Sequence, residues 1–597
     1  MLLSENGAIQ EQQTSRCDNV PDDPKAMFKA GFLADVYNLN RAEKVVTRFP
    51  PEPNGFLHLG HSKAIAINFG FAQYHGGICY LRYDDTNPAK EEEKYFTAIA
   101  DMIQCDYFDR LYELAEDLIK KDGAYVCHCS KSKISLQRGG RKGTTPRYAC
   151  PHRDRPSEES LVEFRAMRDG KYAPKEATLR MKQDLESANP QMWDLAAYRV
   201  IQPRNGGDGD EGNAEQNLGI HHRTGDKWRI YPTYDFTHFL VDSSEEITHS
   251  LCTTEFELSR VSYNWLCDKL GVYQPMQREF GRLNLAGTVL FKRKIMDLIS
   301  NGHVHGWDDP RLYTLIALKR RGIPPGAILS FVNGLGVSKA TTTIDIKRFE
   351  QSVRQYLERT VPRLMVVPDP IPVVIENLPE DHLEMVEVPF SKDPEFGVHT
   401  VPFTGTVYID RSDFQETASK DFFRLAPGKA VGLLKVPYPI TATSFEKDPT
   451  TGLVTSIRAH YDKPEDDATF KKPKAYIHWV AGCPSLNSPI KASVRVYDPL
   501  FTVSNPDSHP DDFLSVVNPN SEKDSSNAMV QVGLQEIIRR APWPNFKGEQ
   551  TLDSAAAPPE SVRFQGMRVG YFCLDRDSTD DKVVLNRIVT LKEDPKK

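Results

Sequence analysis

The segment Arg48-Phe49-Pro50-Pro51-Glu52-Pro53-Asn54-Gly55-Phe56-Leu57-His58-Leu59-Gly60-His61 constrains this fold more than any other stretch. Apolar Val45 and Val46 lead into it as a strand, a proline-rich turn follows, and a helix continues through Ser62-Lys63-Ala64-Ile65-Ala66-Ile67-Asn68-Phe69. A strand–turn–helix junction of this kind aims unpaired backbone N–H groups and the positive end of a helix dipole at one point, where phosphate binds well. His58 and His61, three residues apart, share a helical face and are placed to donate to the same anion. Gly60 between them lets a nucleotide lie close to the backbone.

The pattern around this junction is α/β. A second strand, Ile78-Cys79-Tyr80-Leu81-Arg82-Tyr83, ends in Asp84-Asp85-Thr86-Asn87-Pro88, which completes a βαβ unit with polar groups at a strand's carboxyl end. Helices are expected from Lys90 to Met102 and over residues 107–122, followed by a basic, turn-rich region. The α/β texture returns near Trp228–Phe236 and Ile247–Leu251, so a nucleotide-binding fold is interrupted by an inserted domain. A mainly helical stretch covers residues 306–357. Short Val/Ile/Tyr-rich segments such as Ile371–Ile375, Thr406–Ile409 and Ala475–Val480 then predict an all-β region of two barrels.

Composition excludes several classes. No apolar run is long enough to span a bilayer, and Met1-Leu2-Leu3-Ser4-Glu5-Asn6 turns polar too early for a signal peptide, so a cytoplasmic protein is expected. The net charge of −7 argues against a cation-coated surface. Between Lys131 and Lys182, however, bases outnumber acids more than two to one, a local patch suited to an RNA backbone. Ten scattered cysteines need not be disulfides. Cys127-His128-Cys129 and Cys150-Pro151-His152 have the spacing of four tetrahedral zinc ligands.

The Pro-Pro-Glu-Pro-Asn-Gly lead into His-Leu-Gly-His resembles the HIGH signature of class I aminoacyl-tRNA synthetases in their glutaminyl and glutamyl branch. It is most similar to the glutaminyl members of eukaryotic cytosolic, fungal-like type. A second segment, Thr288-Val289-Leu290-Phe291-Lys292-Arg293-Lys294 after Arg282-Leu283-Asn284-Leu285, resembles the family's KMSKS loop. The match runs from about Met27 to the C-terminus, and includes Gly306-Trp307-Asp308-Asp309-Pro310-Arg311 and Asp511–Pro519.

The resemblance implies a Rossmann-type catalytic domain with an inserted α+β acceptor-binding domain, a helical subdomain and C-terminal anticodon-binding barrels. The expected boundaries are an arm over 1–40, catalytic halves over 41–106 and 223–300, and the insertion over 107–222. The helical subdomain would cover 301–362 and the two barrels 363–597. The implied reaction is ATP-dependent attachment of glutamine to tRNA(Gln) through an adenylate, with Mg²⁺ accompanying ATP and tRNA bound before glutamine is activated. A monomer able to associate with other synthetases is expected.

By resemblance His58, His61 and Lys292 are catalytic. ATP is expected against Glu52, Pro53, Asn54, Leu59, Gly60, Ser62, Lys63, Ala64, Thr253, Arg282, Leu283, Leu290 and Phe291 as well. Glutamine is expected against Arg48 (its carboxylate), Asp84 (its ammonium), Tyr234, His238, Cys252 and Gln277. Arg363 is a candidate anticodon contact. Cys252 stands where many glutamyl relatives carry Arg, so glutamine is favoured over glutamate. The family does not depend on the Cys-x-Cys…Cys-x-His set, and reduced, partly buried cysteines are the expectation there. Three departures stand out: Leu290-Phe291 replaces Met-Ser before the lysine, the junction Ile103–Asp106 is short, and Asn205–Leu218 is an acidic, glycine-rich insertion expected to form a mobile loop.

Overall fold

The computed structural model describes residues 25–51, 55–82, 107–140, 145–201, 224, 227–419, 421–464, 472–510, 512–545, 557–579 and 581–592. The expected helix at Lys90–Met102, the junction 103–106, the insertion 205–218, and the candidates Glu52, Pro53, Asn54 and Asp84 lie outside the described residues.

Strand β1 (Val46–Phe49) has every residue buried and pairs in parallel with β2 (Ile78–Leu81), Val46 opposite Ile78. Helix α1 (Leu59–Tyr74) makes the crossover between them and buries Leu59, Ile67 and Phe71 in a core shared with helices Pro325–Leu335 and Ile346–Thr360.

Helix α2 (Phe108–Lys120) opens the inserted unit. Leu111, Leu114, Ala115, Leu118 and Ile119 recur at helical spacing and pack over an antiparallel sheet of β3 (Ala124–Cys127), β4 (Thr178–Met181), β5 (Ala196–Val200) and β6 (Ile230–Pro232). The sequence assigns the segment around Trp228–Phe236 to the returning nucleotide fold. Instead β6 is the fourth strand of the inserted sheet, Tyr198 opposite Pro232, because Ile230 and Tyr231 bury in that unit's core. Thr233 then joins β6 directly to α3 (Tyr234–Ser244): its N–H donates to the Ala197 carbonyl at 2.8 Å and its hydroxyl to the Ala196 carbonyl at 2.6 Å.

Strand β7 (His249–Thr253) returns to the catalytic sheet, where the Thr248 N–H donates to the Val46 carbonyl at 3.0 Å. It pairs in parallel with β8 (Met276–Phe280), so the carboxyl ends of β1, β7 and β8 open on one side. That is where an open α/β sheet places its ligands. Beyond it, β9 (Leu283–Leu285) leads to α4 (Lys292–Ser300).

The C-terminal region holds two seven-stranded sheets rolled into barrels. Arg363–Leu364 and Val366–Val367 join the sheet built mostly from Ile490–Thr590, whereas Pro370–Ile375 starts the other. Arg321 Nε donates to the Ile588 carbonyl at 2.9 Å and Arg563 Nε to the Gly322 carbonyl at 2.6 Å, fastening the helical segment to the last barrel. Among the described residues no helix is long and apolar enough to cross a membrane.

Candidate functional site

A cleft of about 1190 Å³ opens at the carboxyl ends of β1 and β7 and is lined by His58, His61, Tyr234, Cys252, Arg282 and Phe291, among others. At its floor α1 begins with His58 as N-cap. The Gly60 N–H donates to His58 Nδ1 at 3.1 Å and the His58 N–H donates to His61 Nδ1 at 3.1 Å. The Leu59 N–H is taken by the Tyr313 carbonyl at 2.9 Å and the His61 N–H by the His58 carbonyl at 2.8 Å.

The first-turn N–H groups are therefore consumed by the protein, which corrects the expectation that they converge unpaired on a phosphate. Because both Nδ1 atoms accept, both rings carry their proton on Nε2. Burial holds His58 down to about 3, with His61 and Arg282 adding to it, and burial with Arg282 holds His61 to about 4. The site thus presents two neutral imidazole donors, ring centroids 3.9 Å apart, over the helix's positive end. Gly60 is explained by packing as well: a Cβ there would lie 2.9 Å from His58 Cε1 and 3.1 Å from the Leu283 carbonyl oxygen.

Lys292 is the first residue of α4, one position after the cleft-lining Phe291. Its Cδ lies 3.6 Å from where a Cβ on Gly55 would stand, so its stem leans over the loop between β1 and α1 at the rim of the cleft. The two signature segments thus meet in space. Phe291 occupies the N-cap of α4, offers no side-chain cap, and is 62% exposed. Arg282 pairs with Glu255. Ala64, Thr253, Leu283 and Leu290 also line the cleft. Lys63 lines it too, but its ammonium donates to the Gly281 carbonyl at 2.6 Å and ties α1 to the end of β8. Leu59 belongs to the core and the Ser62 hydroxyl donates to the Leu59 carbonyl at 2.6 Å.

At the end of the cleft where the sequence expects glutamine, Arg48 is buried and four of its five N–H groups have protein partners. Nε donates to Asp242 at 3.1 Å, Nη1 to the Leu251 carbonyl at 3.0 Å, and Nη2 to His238 Nε2 at 3.2 Å and Ser250 Oγ at 3.0 Å. At most one N–H remains for a substrate carboxylate. Arginine can only donate, so His238 Nε2 accepts, its Nδ1 carries the proton, and Tyr234 Oη, 2.9 Å away, accepts in turn. The Tyr234 hydroxyl proton is thereby directed away from His238. Burial, opposed by Asp242 and helped by Arg48 and Arg82, holds His238 neutral at about 3. Burial pushes the Cys252 thiol up, so it stays uncharged. His238 stands behind Tyr234. Gln277 turns from the cleft, donating to the Phe256 carbonyl at 3.0 Å and Glu279 at 2.9 Å.

Sequence reasoning missed Asp242, Ser250 and Arg82. Asp242 is fully buried and accepts from Arg48, from Arg82 at 2.6 Å and from Ser250 at 2.7 Å. Burial alone would raise its carboxyl; the two guanidiniums hold it well below the usual carboxylate range. Its signal was the i, i+4, i+8 run Tyr234, His238, Asp242 on one face of α3. Far from the cleft, Arg363 pairs with Glu358 at 2.6 Å. In the basic stretch, Arg153 donates to the Asp194 carboxylate at 3.0 Å, while Arg180 at 3.0 Å and Arg138 at 3.3 Å donate to its carbonyl. These three cations therefore brace the inserted sheet.

Comparison with known proteins gives the same picture from another direction. The description "tRNA synthetases class I (E and Q), catalytic domain" matches residues 44–359, and two "anti-codon binding domain" descriptions of that family match residues 361–462 and 476–539. The chain is 56% identical over 602 residues to the glutamine–tRNA ligase protein virJ of Hypocrea virens, covering 96% of this chain and 88% of the relative. It is 55% identical to a probable glutamine–tRNA ligase of Schizosaccharomyces pombe, covering 96% and 72%. Against the glutamine–tRNA ligase of Saccharomyces cerevisiae it is 51% identical, covering 95% and 73%.

Proposed function

Since the chain belongs to the class I (E and Q) tRNA synthetases, we propose that it is a ligase that attaches glutamine to the 3′ end of tRNA(Gln) at the expense of ATP. The observation that carries the choice of amino acid is the balance of charge in the pocket. His238 and Cys252 are neutral, and the charge of Arg48 is already met by Asp242. A glutamate side chain entering here would bury a carboxylate without a counter-charge, which costs several kcal/mol; a glutamine amide would not. The Tyr234 hydroxyl, accepting from His238, is set to donate to the amide carbonyl.

In the first step the glutamine carboxylate attacks the α-phosphorus of ATP, the bond from that phosphorus to the α,β-bridging oxygen breaks, and pyrophosphate leaves. His58 and His61 donate from Nε2 to phosphate oxygens. With both Nδ1 atoms accepting, each neutral ring keeps its one proton on Nε2 at neutral pH. Lys292, leaning in from the rim, stabilises the charge that gathers on the leaving group. In the second step the 2′-hydroxyl of the terminal adenosine attacks the adenylate carbonyl and AMP leaves. Positioning and charge stabilisation suffice, and no side-chain nucleophile is needed. Mg²⁺ belongs to this scheme only as the companion of ATP. Of the described carboxylates that line the cleft, Glu255 and Asp507 are paired with Arg282 and Lys294 and burial pushes the Asp235 carboxyl up toward its neutral form, so among the described residues the donor set does not fit a protein-held cation.

The inserted unit would hold the acceptor end and the barrels the anticodon, in a cytoplasmic enzyme. The test is tRNA-dependent pyrophosphate exchange with glutamine and with glutamate. Exchange with glutamine alone supports the reading; equal exchange with glutamate, or silence despite tight tRNA binding, overturns it.

A further inference from the structure

A two-stranded ribbon lies against the first C-terminal barrel. Strand β10 (Leu383–Pro389) pairs antiparallel with β11 (Val398–Thr404), Leu383 opposite Thr404 and Pro389 opposite Val398. Val386, Val388, Val401 and Phe403 bury in that barrel's core. Strand β11 is tied to the last barrel: the Gln531 amide donates to His399 Nε2 at 2.7 Å, and a Cβ on Gly533 would stand 2.5 Å from His399 Cδ2. Among the described residues β10 pairs with β11 alone, so it is the ribbon's outer strand. The Phe390 N–H donates to the Gly397 carbonyl at 3.0 Å, which makes Val388–His399, Val386–Val401 and Glu384–Phe403 the pairs that exchange hydrogen bonds. The intervening Leu383, Met385 and Glu387 turn their N–H and carbonyl groups to the other side. No backbone partner meets them there among the described residues.

The open edge runs beside apolar side chains on the face turned from the core. Leu383 and Met385 are 51% and 50% exposed, and Val398 on the neighbouring strand is 53% exposed. Charge selects what can cover them. Residues 376–391 hold the acids Glu376, Glu380, Asp381, Glu384 and Glu387 and no Lys or Arg. Glu376 pairs with Arg458 at 3.1 Å, whereas the other four have no ion-pair partner among the described residues. An RNA backbone would meet uncompensated carboxylates here, which repel its phosphates. A second copy fits no better, because two β10 strands edge to edge would set acids against acids. A strand that brings both cations and apolar side chains satisfies the free backbone groups, the carboxylates and the exposed Leu and Met together.

We propose that β10 is a docking edge for an extended basic segment of a partner protein, which adds to the ribbon as a third strand. The N–H groups of Leu383, Met385 and Glu387 donate to the partner's carbonyls, and their own carbonyls accept from its N–H groups. Alternate side chains of the added strand fall on the face of Leu383 and Met385 and cover it. Lysine or arginine among them meets Glu387, while Glu380, Asp381 and Glu384 draw the segment in from a distance. Pro389, which has no N–H, ends the row of donors and sets how far the added strand runs. The surface is independent of the ligase reading.

The test uses the full-length chain and a fluorescent peptide of alternating Lys and Val. Without peptide, the amides of Leu383, Met385 and Glu387 should exchange with solvent at least about tenfold faster than those of Val386 and Val388. Saturating peptide, followed by fluorescence anisotropy, should slow the three outer amides by about tenfold or more and leave the ladder amides unchanged. Met385→Pro removes one outward N–H without touching the ladder to β11, and the pair Glu384→Lys with Glu387→Lys reverses the surface charge. Each should weaken peptide binding by about tenfold or more. The same peptide N-methylated at every residue keeps its charge but loses its donors, and should bind the wild-type chain no better than the variants. Outer amides already protected in the free chain overturn the proposal, because the edge is then covered from within. So does the absence of saturable binding. Binding that survives both variants, or that the N-methylated peptide reproduces, overturns it as mere attraction to an acidic protein. If tRNA alone slows the three amides, the edge is a nucleic-acid contact and the proposal fails.

Discussion

Replacing Asp242 by Asn tests how the proposed amino-acid pocket is held together. The substitution is nearly isosteric: Oδ1 still accepts from Arg48 and Arg82, and the amide can still meet the Ser250 hydroxyl, so the hydrogen-bond count barely changes. What disappears is the charge shared by two buried guanidiniums, leaving Glu245, 2.9 Å from Arg82, as the remaining counter-charge there among the described residues. Removing one partner of a buried ion pair costs about 3–5 kcal/mol. A chain of several domains has no single unfolding free energy, so the loss is best read locally. Hydrogen exchange in β1 and α3 should accelerate by about two to three and a half orders of magnitude, each 1.4 kcal/mol being tenfold. Function should shift in a specific direction. With Arg48 no longer neutralised, glutamate exchange should rise relative to glutamine exchange, while the KM for glutamine rises more than kcat falls. A surface control, Glu113→Gln against Arg110, should cost under about 1 kcal/mol. If Asp242→Asn exchanges hydrogen like the parent and keeps its glutamine-to-glutamate ratio, the charge-balance account of specificity is wrong.

Four further outcomes follow from the geometry. Lys292→Ala should slow adenylate formation by about 10²–10³-fold, as removal of a transition-state charge does, with tRNA affinity unchanged in a filter-binding assay. His61→Asn places an amide oxygen near the position of Nδ1 and so keeps the cap on the His58 N–H, but it lacks the Nε2 donor; single-turnover adenylation should fall sharply while the melting temperature stays within a few degrees. Phe291→Ser supplies the missing N-cap of α4 and should stabilise that helix by about 0.5–1 kcal/mol, visible as slower exchange of its first-turn amides. Because His58, His61 and His238 have folded values of about 3, 4 and 3 against 6.5 unfolded, the unfolded chain binds more protons between those limits. Stability should therefore fall as pH drops below about 6.5 and level off only near pH 3–4, while these rings leave the rate flat from pH 7 upward.

The parts of the site that were legible in the sequence are those fixed by local spacing. Two histidines three apart at a helix mouth had to share a face, and the Lys-Arg-Lys run could be matched to a second loop by its neighbours. Which nitrogen each histidine presents was not legible, because it depends on backbone N–H groups claiming both Nδ1 atoms. Arg48 looked like a substrate anchor; only the fold brings Asp242, Ser250 and Leu251, some two hundred residues away, to occupy most of its donors. The basic stretch read as an exposed face, yet Arg138, Arg153 and Arg180 converge on Asp194, a partner no window of sequence contains. Strand β6 was read with the wrong sheet for a related reason: a short apolar strand carries no mark of which neighbour it will pair with.

The direct passage from β6 into α3 has a mechanical consequence. Thr233, pinned by two hydrogen bonds to β5, is the only residue between the edge of the inserted sheet and Tyr234. Strand and helix are both stiff, so a load applied by a nucleic-acid end resting on that sheet reaches the tyrosine across a single peptide, with no slack loop to absorb it. On the proposed function the insertion is less an appended platform than the long arm of a crank whose short arm is the wall of the proposed amino-acid pocket.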